Sequence, residues 1–275
     1  SPLQLEHRQT KVLTSYAKRG LPLYTHSHPI AGFTSPVTLA GEIVLMNAET
    51  LMIVLIAELI NSGTPIIYGT SASVPDMRRG SNLAGTVEVG LLGCALVQMA
   101  RRYHLPCDMT SGIDSKVADA QASMERILTA LPPILAGIDL IDLSTTDTKL
   151  TFSFEQLLID NELMSWIARL LRGIKVDEEH LAIELIKKVS PKGTFLGEEH
   201  TVKHFREELL NSDLISRDSW DNWEREGCKT LRERAQEQVK RILKEHKSAP
   251  LSEDVQQSMA EIIKSTKPHI SSERY

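Results

Sequence analysis

The densest run of polar groups in this chain is Thr110-Ser111-Gly112-Ile113-Asp114-Ser115-Lys116-Val117-Ala118-Asp119-Ala120-Gln121, in which a Gly-bearing turn follows a short apolar run and opens a helix. Two carboxylates, an ammonium and an amide fall there within about three helical turns. At a strand end such a cluster can orient a small polar molecule. Asp114 and Lys116 are the candidate catalytic pair, and Asp119 and Gln121 are candidate substrate ligands beside them. The bland alternative is a capped helix start, where an acidic residue gains roughly 0.3–1 kcal/mol from the helix dipole.

Four more side chains are candidates for substrate binding. His26 and His28 alternate at a strand end, so they point to opposite sides, and His26 is taken as the one entering a pocket. Asn47 and Glu49 sit within a long apolar helix pattern, where a polar group must either pair or face a cavity. Tyr68 ends a strand just before Thr70-Ser71-Ala72-Ser73, a pocket-forming loop. His200 and His204 lie one helical turn apart but lack a third ligand, so no metal site is assigned.

These groups need a scaffold. Four β-prone runs, Leu21 to Thr25, Pro65 to Gly69, Pro106 to Ser111 and Ile138 to Leu143, are each followed by an apolar helical pattern. Alternation of this kind implies parallel strands joined by crossover helices. Helices are expected from Pro36 to Ile60, from Thr86 to Tyr103, and from Val117 to Leu131, where Pro132-Pro133 should end the last. The first 150 residues carry 24 charged side chains and the remaining 125 carry 43. The second part therefore reads as solvated helices at about 153–172, 178–189, 199–210, 218–226 and 229–246, with a partly flexible stretch from Lys247.

The expected class is α/β of TIM-barrel type, with about half of a (β/α)8 barrel followed by a helical C-terminal segment, since a whole barrel usually needs about 250 residues. The domains are 1–152 (βα units), 153–250 (helical segment) and 251–275 (terminal helix or tail). An open doubly wound sheet and a barrel completed by two chains are the alternatives.

Composition excludes several classes. A net charge of −5 without a Lys/Arg run argues against nucleic acid. The most apolar run, Leu51 to Ala57, stops at Glu58, so no membrane span is expected. Cys94, Cys107 and Cys228 show no metal or disulfide spacing, which points to a reducing, cytoplasmic setting. GxGxxG, GxxxxGK[ST], GxSxG and HExxH are all absent.

Motifs spread along the chain resemble one family. They are Ser35-Pro36-Val37-Thr38-Leu39-Ala40-Gly41 with Asn47-Ala48-Glu49, then Pro65-Ile66-Ile67-Tyr68-Gly69, Asp76-Met77-Arg78 and Leu105-Pro106-Cys107. They continue with Asp114-Ser115-Lys116, Asp119-Ala120-Gln121-Ala122, Leu171-Arg172-Gly173-Ile174, Phe195-Leu196-Gly197, His200-Thr201 and His204-Phe205-Arg206. In this order they resemble the C-terminal part of the trimethylamine:corrinoid methyltransferase family, including its glycine betaine branch that lacks pyrrolysine.

The resemblance implies a barrel that moves a methyl group from a methylated amine to cobalt in a separate corrinoid protein, with the counterpart of the family's pyrrolysine expected near Asp114 to Lys116. No pyrrolysine stands in this sequence, which favours a quaternary amine such as glycine betaine. A quaternary ammonium already carries a neutral leaving group, and the protein's task is to hold it in line using aromatic faces and carboxylates. The chain lacks a DxHxxG signature, so the corrinoid is expected on a partner and no cofactor on this chain. A homo-oligomer is expected. The rival readings are a non-catalytic barrel fragment serving assembly or binding, and a lyase using Lys116 as a Schiff-base amine.

Overall fold

The structure is a computed structural model that describes residues 2–189, 191 and 193–270, the side chains of 266–270 aside. Contacts divide the chain into two compact units, residues 1–237 and 238–275. The expected boundary at 152/153 lies inside the first unit.

The first unit opens with α1 (His7–Lys18), β1 (Leu23–Ser27), α2 (Leu39–Ile60) and β2 (Ile66–Thr70). A hairpin of β3 (Val74–Asp76) and β4 (Ser81–Leu83) leads into α3 (Val87–Arg102), β5 (Cys107–Thr110), α4 (Ala120–Ala136) and β6 (Leu140–Asp142). A second hairpin, β7 (Thr145–Thr146) with β8 (Thr151–Phe152), precedes α5 (Phe154–Arg172). Strands β1, β2, β5 and β6 pair in parallel in that order. The fold is thus mixed α/β with a parallel sheet. Its strands follow chain order, without the reversal of a doubly wound sheet. Each strand lies within two residues of its expected position.

Helices cover one face of this sheet. Met46 of α2, Val89, Leu92, Leu96, Val97 and Ala100 of α3, and Tyr68, Cys107 and Met109 of the strands form the main core cluster. Leu13 and Ala17 of α1 pack with Leu23, Ala57 and Ile66 in a second. By length and composition α2 is apolar enough to cross a membrane, which the short apolar run considered above did not reveal. Here it lies against the sheet and buries Glu42, Met46, Glu49, Thr50 and Ala57.

Helix α4 departs from expectation at both ends. It begins at Ala120, because the Asp119 carboxylate accepts from the Ala122 N–H and caps it there. It runs through Pro132 and Pro133 to Gly137, whose left-handed backbone (φ 95°) closes it. The close approach of α3 explains why the prolines are tolerated. Proline lacks the N–H that would bond the carbonyl four residues back, and a Cβ on Gly90 would sit 2.2 Å from the Leu128 oxygen that Pro132 leaves unbonded.

Beyond α5 lie α6 (Glu178–Leu181), α7 (Ile183–Val189), α8 (Glu199–Glu208), α9 (Trp220–Arg225) and the start of α10 (Leu231–Glu245). The single helix expected at 178–189 is broken at Ala182, which has φ 48°. The second unit holds the end of α10 and α11 (Glu253–Ile270), so the stretch from Lys247 contains an 18-residue helix.

Candidate functional site

Side chains alternate across a strand, and β1 does so with Leu23, Thr25 and Ser27 buried and Tyr24 and His26 exposed. The registers His26↔Gly69, Gly69↔Asp108, Asp108↔Leu140 and Thr110↔Asp142 place Tyr24, His26, Gly69, Asp108, Thr110, Leu140 and Asp142 on the face that no helix covers. These residues converge on Asp108. The Tyr24 hydroxyl donates to Asp108 Oδ2, and His26 Nε2 stands 3.8 Å from the same oxygen and 3.5 Å from Thr110 Oγ1. Thr110 Oγ1 donates to Asp142 Oδ2 at 3.2 Å. The rings of Tyr24 and His26 are 5.0 Å apart. Gly69 makes room for this layer, because a Cβ there would meet the Thr25 carbonyl at 2.2 Å and the His26 ring at 3.2 Å.

Asp108 is buried beneath Tyr24 and His26. Burial, reinforced by the nearby Asp142 charge, pushes its carboxyl up to about 7. Burial and the positive Lys149 lower both His26 and His28, which favours neutral imidazoles. Lys149 reaches in from the β7–β8 turn and donates to Ser71 Oγ at 2.7 Å and Ser71 O at 3.3 Å. The outcome is a basin-like open face with two carboxylates, a tyrosine ring, a neutral imidazole and one ammonium, in which Tyr24 and Asp108 lie in the first halves of β1 and β5 and His26 and Asp142 toward the carboxyl ends of their strands.

Of the residues expected from sequence, His26 alone stands on this face. Tyr68, Asn47 and Glu49 require correction, because they lie on the helix-covered face. Tyr68 pairs with Thr25 and Cys107 and shares their buried side. Its hydroxyl donates to Asn47 Oδ1 at 2.9 Å, and Asn47 Nδ2 donates to the Tyr103 hydroxyl at 3.1 Å. Glu49 accepts from Ser27 Oγ at 2.5 Å and from the Leu3 N–H at 2.9 Å.

The 114–121 segment does not present its polar groups to one cavity rim. Asp114 accepts from the Ala84 and Gly85 N–H groups at 2.8 and 3.0 Å and from Thr148 Oγ1 at 3.0 Å, tying the β3–β4 hairpin to the β7–β8 turn. Lys116 is exposed and pairs with Asp147 at 2.8 Å. Asp119 is the α4 cap, and Gln121 donates to Glu125 Oε1 at 2.7 Å on the surface. Nothing desolvates Lys116 as a Schiff-base amine requires.

Cys107 and the His200/His204 pair have partners of their own. Cys107 is buried on the covered face with its thiol on Asp139 Oδ2 at 3.4 Å, and burial pushes it up, away from thiolate character. The rings of His180, His200 and His204 pack tilted against one another, with separations of 5.0 and 4.5 Å, and direct nitrogens at Asp177 and Glu179. Among the described residues no group of three or more His, Cys, Asp or Glu is arranged to hold a metal.

Comparison with known proteins shows the family. The family model described as trimethylamine methyltransferase (MTTB) matches residues 1–271. The chain belongs to the trimethylamine methyltransferase family. Family members similar to it include a trimethylamine methyltransferase of Desulfitobacterium hafniense strain DSM 10664 / DCB-2, 35% identical over 97% of this chain and 54% of the relative. Another, from Methanosarcina barkeri, is 36% identical over 96% of this chain and 53% of the relative. A glycine betaine methyltransferase of Desulfitobacterium hafniense strain Y51 is 35% identical over 88% of this chain and 51% of the relative. The chain thus spans about half the length of the curated relatives it matches.

The missed residues Tyr24, Asp108, Asp142 and Lys149 left a weak trace in the sequence. Asp108 and Asp142 sit inside two of the four predicted strands, where an acidic residue is unusual.

Proposed function

We propose that this chain forms the amine-binding part of a methyltransferase that moves a methyl group from a methylated, quaternary amine such as glycine betaine to the cobalt of a separate corrinoid protein. The carrying observation is the uncovered sheet face, where Asp108 and Asp142 offer negative charge and Tyr24 offers an aromatic face, with His26, Thr110 and Asp142 toward the carboxyl ends of the strands. Barrel enzymes hold their chemistry at this end, and we read the four strands, in chain order with helices on one side, as a sector of such a barrel.

A quaternary ammonium cannot donate a hydrogen bond, so its recognition rests on charge and ring faces. The substrate cation would favour ionised Asp108, pulling its raised titration point down on binding. In the transfer the carbon–nitrogen bond breaks, its electron pair stays on nitrogen as the lone pair of the released tertiary amine, and the methyl group passes to cobalt. The corrinoid supplies the nucleophile, while this chain's residues bind the cation and orient one methyl toward the open side. The fit rests on exposure: Tyr24 is 47% and Leu140 50% exposed, which leaves the basin accessible to a docking protein.

The three free cysteines accord with the reducing, cytoplasmic setting proposed for this reaction. Homo-oligomerisation is part of the proposal.

The test is anaerobic incubation of the protein with a reduced corrinoid protein and a panel of methylated amines, following the cobalt absorbance. Demethylation of a betaine is the expected result. No transfer from any member of the panel would contradict it, and binding without transfer would favour the rival binding-module reading.

A further inference from the structure

Lys149 is the cation of the basin, and its surroundings do not neutralise it. Among the described residues no carboxylate lies within ion-pair distance of its ammonium, which donates only to Ser71. Asp114 and Asp142 act on it only at longer range. Asp114 is already committed to two backbone N–H groups and Thr148. A partly sequestered ammonium without a counter-ion is costly, and burial accordingly lowers Lys149 to about 8, so that at pH 7 it still carries a charge that an anion can meet.

The backbone is spent on placing this side chain. Asp147, Thr148 and Lys149 are three consecutive non-glycine residues in the left-handed region, with φ 51°, 54° and 72°. Each such residue costs on the order of 1 kcal/mol, and strain of this kind persists only where the surroundings impose it. Here the Asp147 and Thr148 N–H groups donate to Ser115 O and Ile113 O, both at 2.9 Å, while Lys116 pairs with Asp147. The Lys149 stem runs over Gly112, where an added Cβ would come within 2.8 Å of Lys149 Cε. The polar 114–116 motif therefore acts as the brace for a lysine far from it in sequence.

We propose that Lys149 binds the carboxylate of a zwitterionic methylated amine and so determines specificity for betaines over methylated amines that lack an acid group. This rests on the reading above and deepens it. Asp108, Asp142 and Tyr24 would take the ammonium end, and Lys149, bridged to the loop after β2 through Ser71, would take the acid end. A compound carrying only the trimethylammonium head would leave Lys149 without its anion.

Isothermal titration of the whole chain with glycine betaine, choline and tetramethylammonium tests this, using wild type, Lys149→Met and Lys149→Arg, with thermal melts confirming that each variant is folded. Choline carries the same cationic head with a hydroxyl in place of the acid. The expected result is that wild type prefers betaine over choline by about 10- to 100-fold, the range of a charge-assisted hydrogen bond. Lys149→Met should abolish that preference through weaker betaine binding, and Lys149→Arg should keep part of it. Equal wild-type affinity for betaine and choline would overturn the role of Lys149 while leaving the ammonium site standing, and so would equal weakening of both ligands by Lys149→Met. Failure of all three ligands to bind wild type would remove the amine site itself, and this proposal with it.

Discussion

The two faces of one four-stranded sheet carry similar residue types and do different things with them. On the covered face Tyr68, Asn47, Tyr103, Glu49 and Ser27 form closed hydrogen-bonded sets between strands and helices. On the open face Tyr24, His26, Asp108, Asp142 and Lys149 gather more charge than they neutralise. A tyrosine and an acid near a strand end thus say little until their side of the sheet is known. One residue of register decides whether a polar group is structural cement or part of a binding surface.

Substitutions should separate the two faces. The largest effect is expected for Asp108→Asn. Binding of tetramethylammonium, followed by titration, should weaken at least tenfold, because the substitution removes the charge beneath Tyr24. The same variant should be more stable than wild type at alkaline pH. The native carboxyl titrates near 7 against about 4 when unfolded, so the folded state holds a proton that the unfolded state releases. Stability therefore falls as pH rises from about 4 to 7, and the penalty is complete above 7. Asparagine lifts it, by on the order of 4 kcal/mol at pH 8, measurable by denaturant unfolding.

The pH dependence of binding follows from the same group. Tetramethylammonium does not titrate, so its affinity should rise about tenfold between pH 6 and pH 8 as Asp108 ionises. A flat profile would show that Asp108 does not meet the cation. Tyr68→Phe, on the covered face, should cost about 1–3 kcal/mol of stability by leaving Asn47 Oδ1 short of a donor, with ligand affinity unaltered. Asp119→Ala should do least, about 1 kcal/mol from the lost α4 cap and a melting point lower by roughly 2–4 °C. An affinity loss in either variant would blur the division between the faces.

The four strands and their helices were legible because short β-prone runs alternate with apolar helices, a pattern set locally. His26 was legible because it alternates with His28 at a strand end. Asp108 and Asp142 were not, because their importance comes from strands β5 and β6 lying beside β2 and β5, a juxtaposition of residues far apart in sequence. Lys149 was hidden for a further reason: nothing local signals a left-handed turn at Asp147-Thr148-Lys149, which lacks the glycine that such backbone usually employs. The 114–121 segment drew attention by density alone, and its groups turn out to bond backbone, cap and brace. Pro132-Pro133 misled because the stop signal assumes an unpacked helix, whereas Gly90 and Gly93 let α3 press against that turn.

The central claim is that a methylated ammonium binds to the uncovered face of the sheet, over Asp108. Side-chain NMR of the protein during a betaine titration reads this most directly. The account predicts that the ring signals of Tyr24 and His26 and the carboxyl carbon of Asp108 shift with one common saturation curve, while Tyr68, Asp119 and Gln121 stay still. Saturable shifts confined to residues 114–121 or to Tyr68, with His26 and Asp108 unmoved, would contradict it.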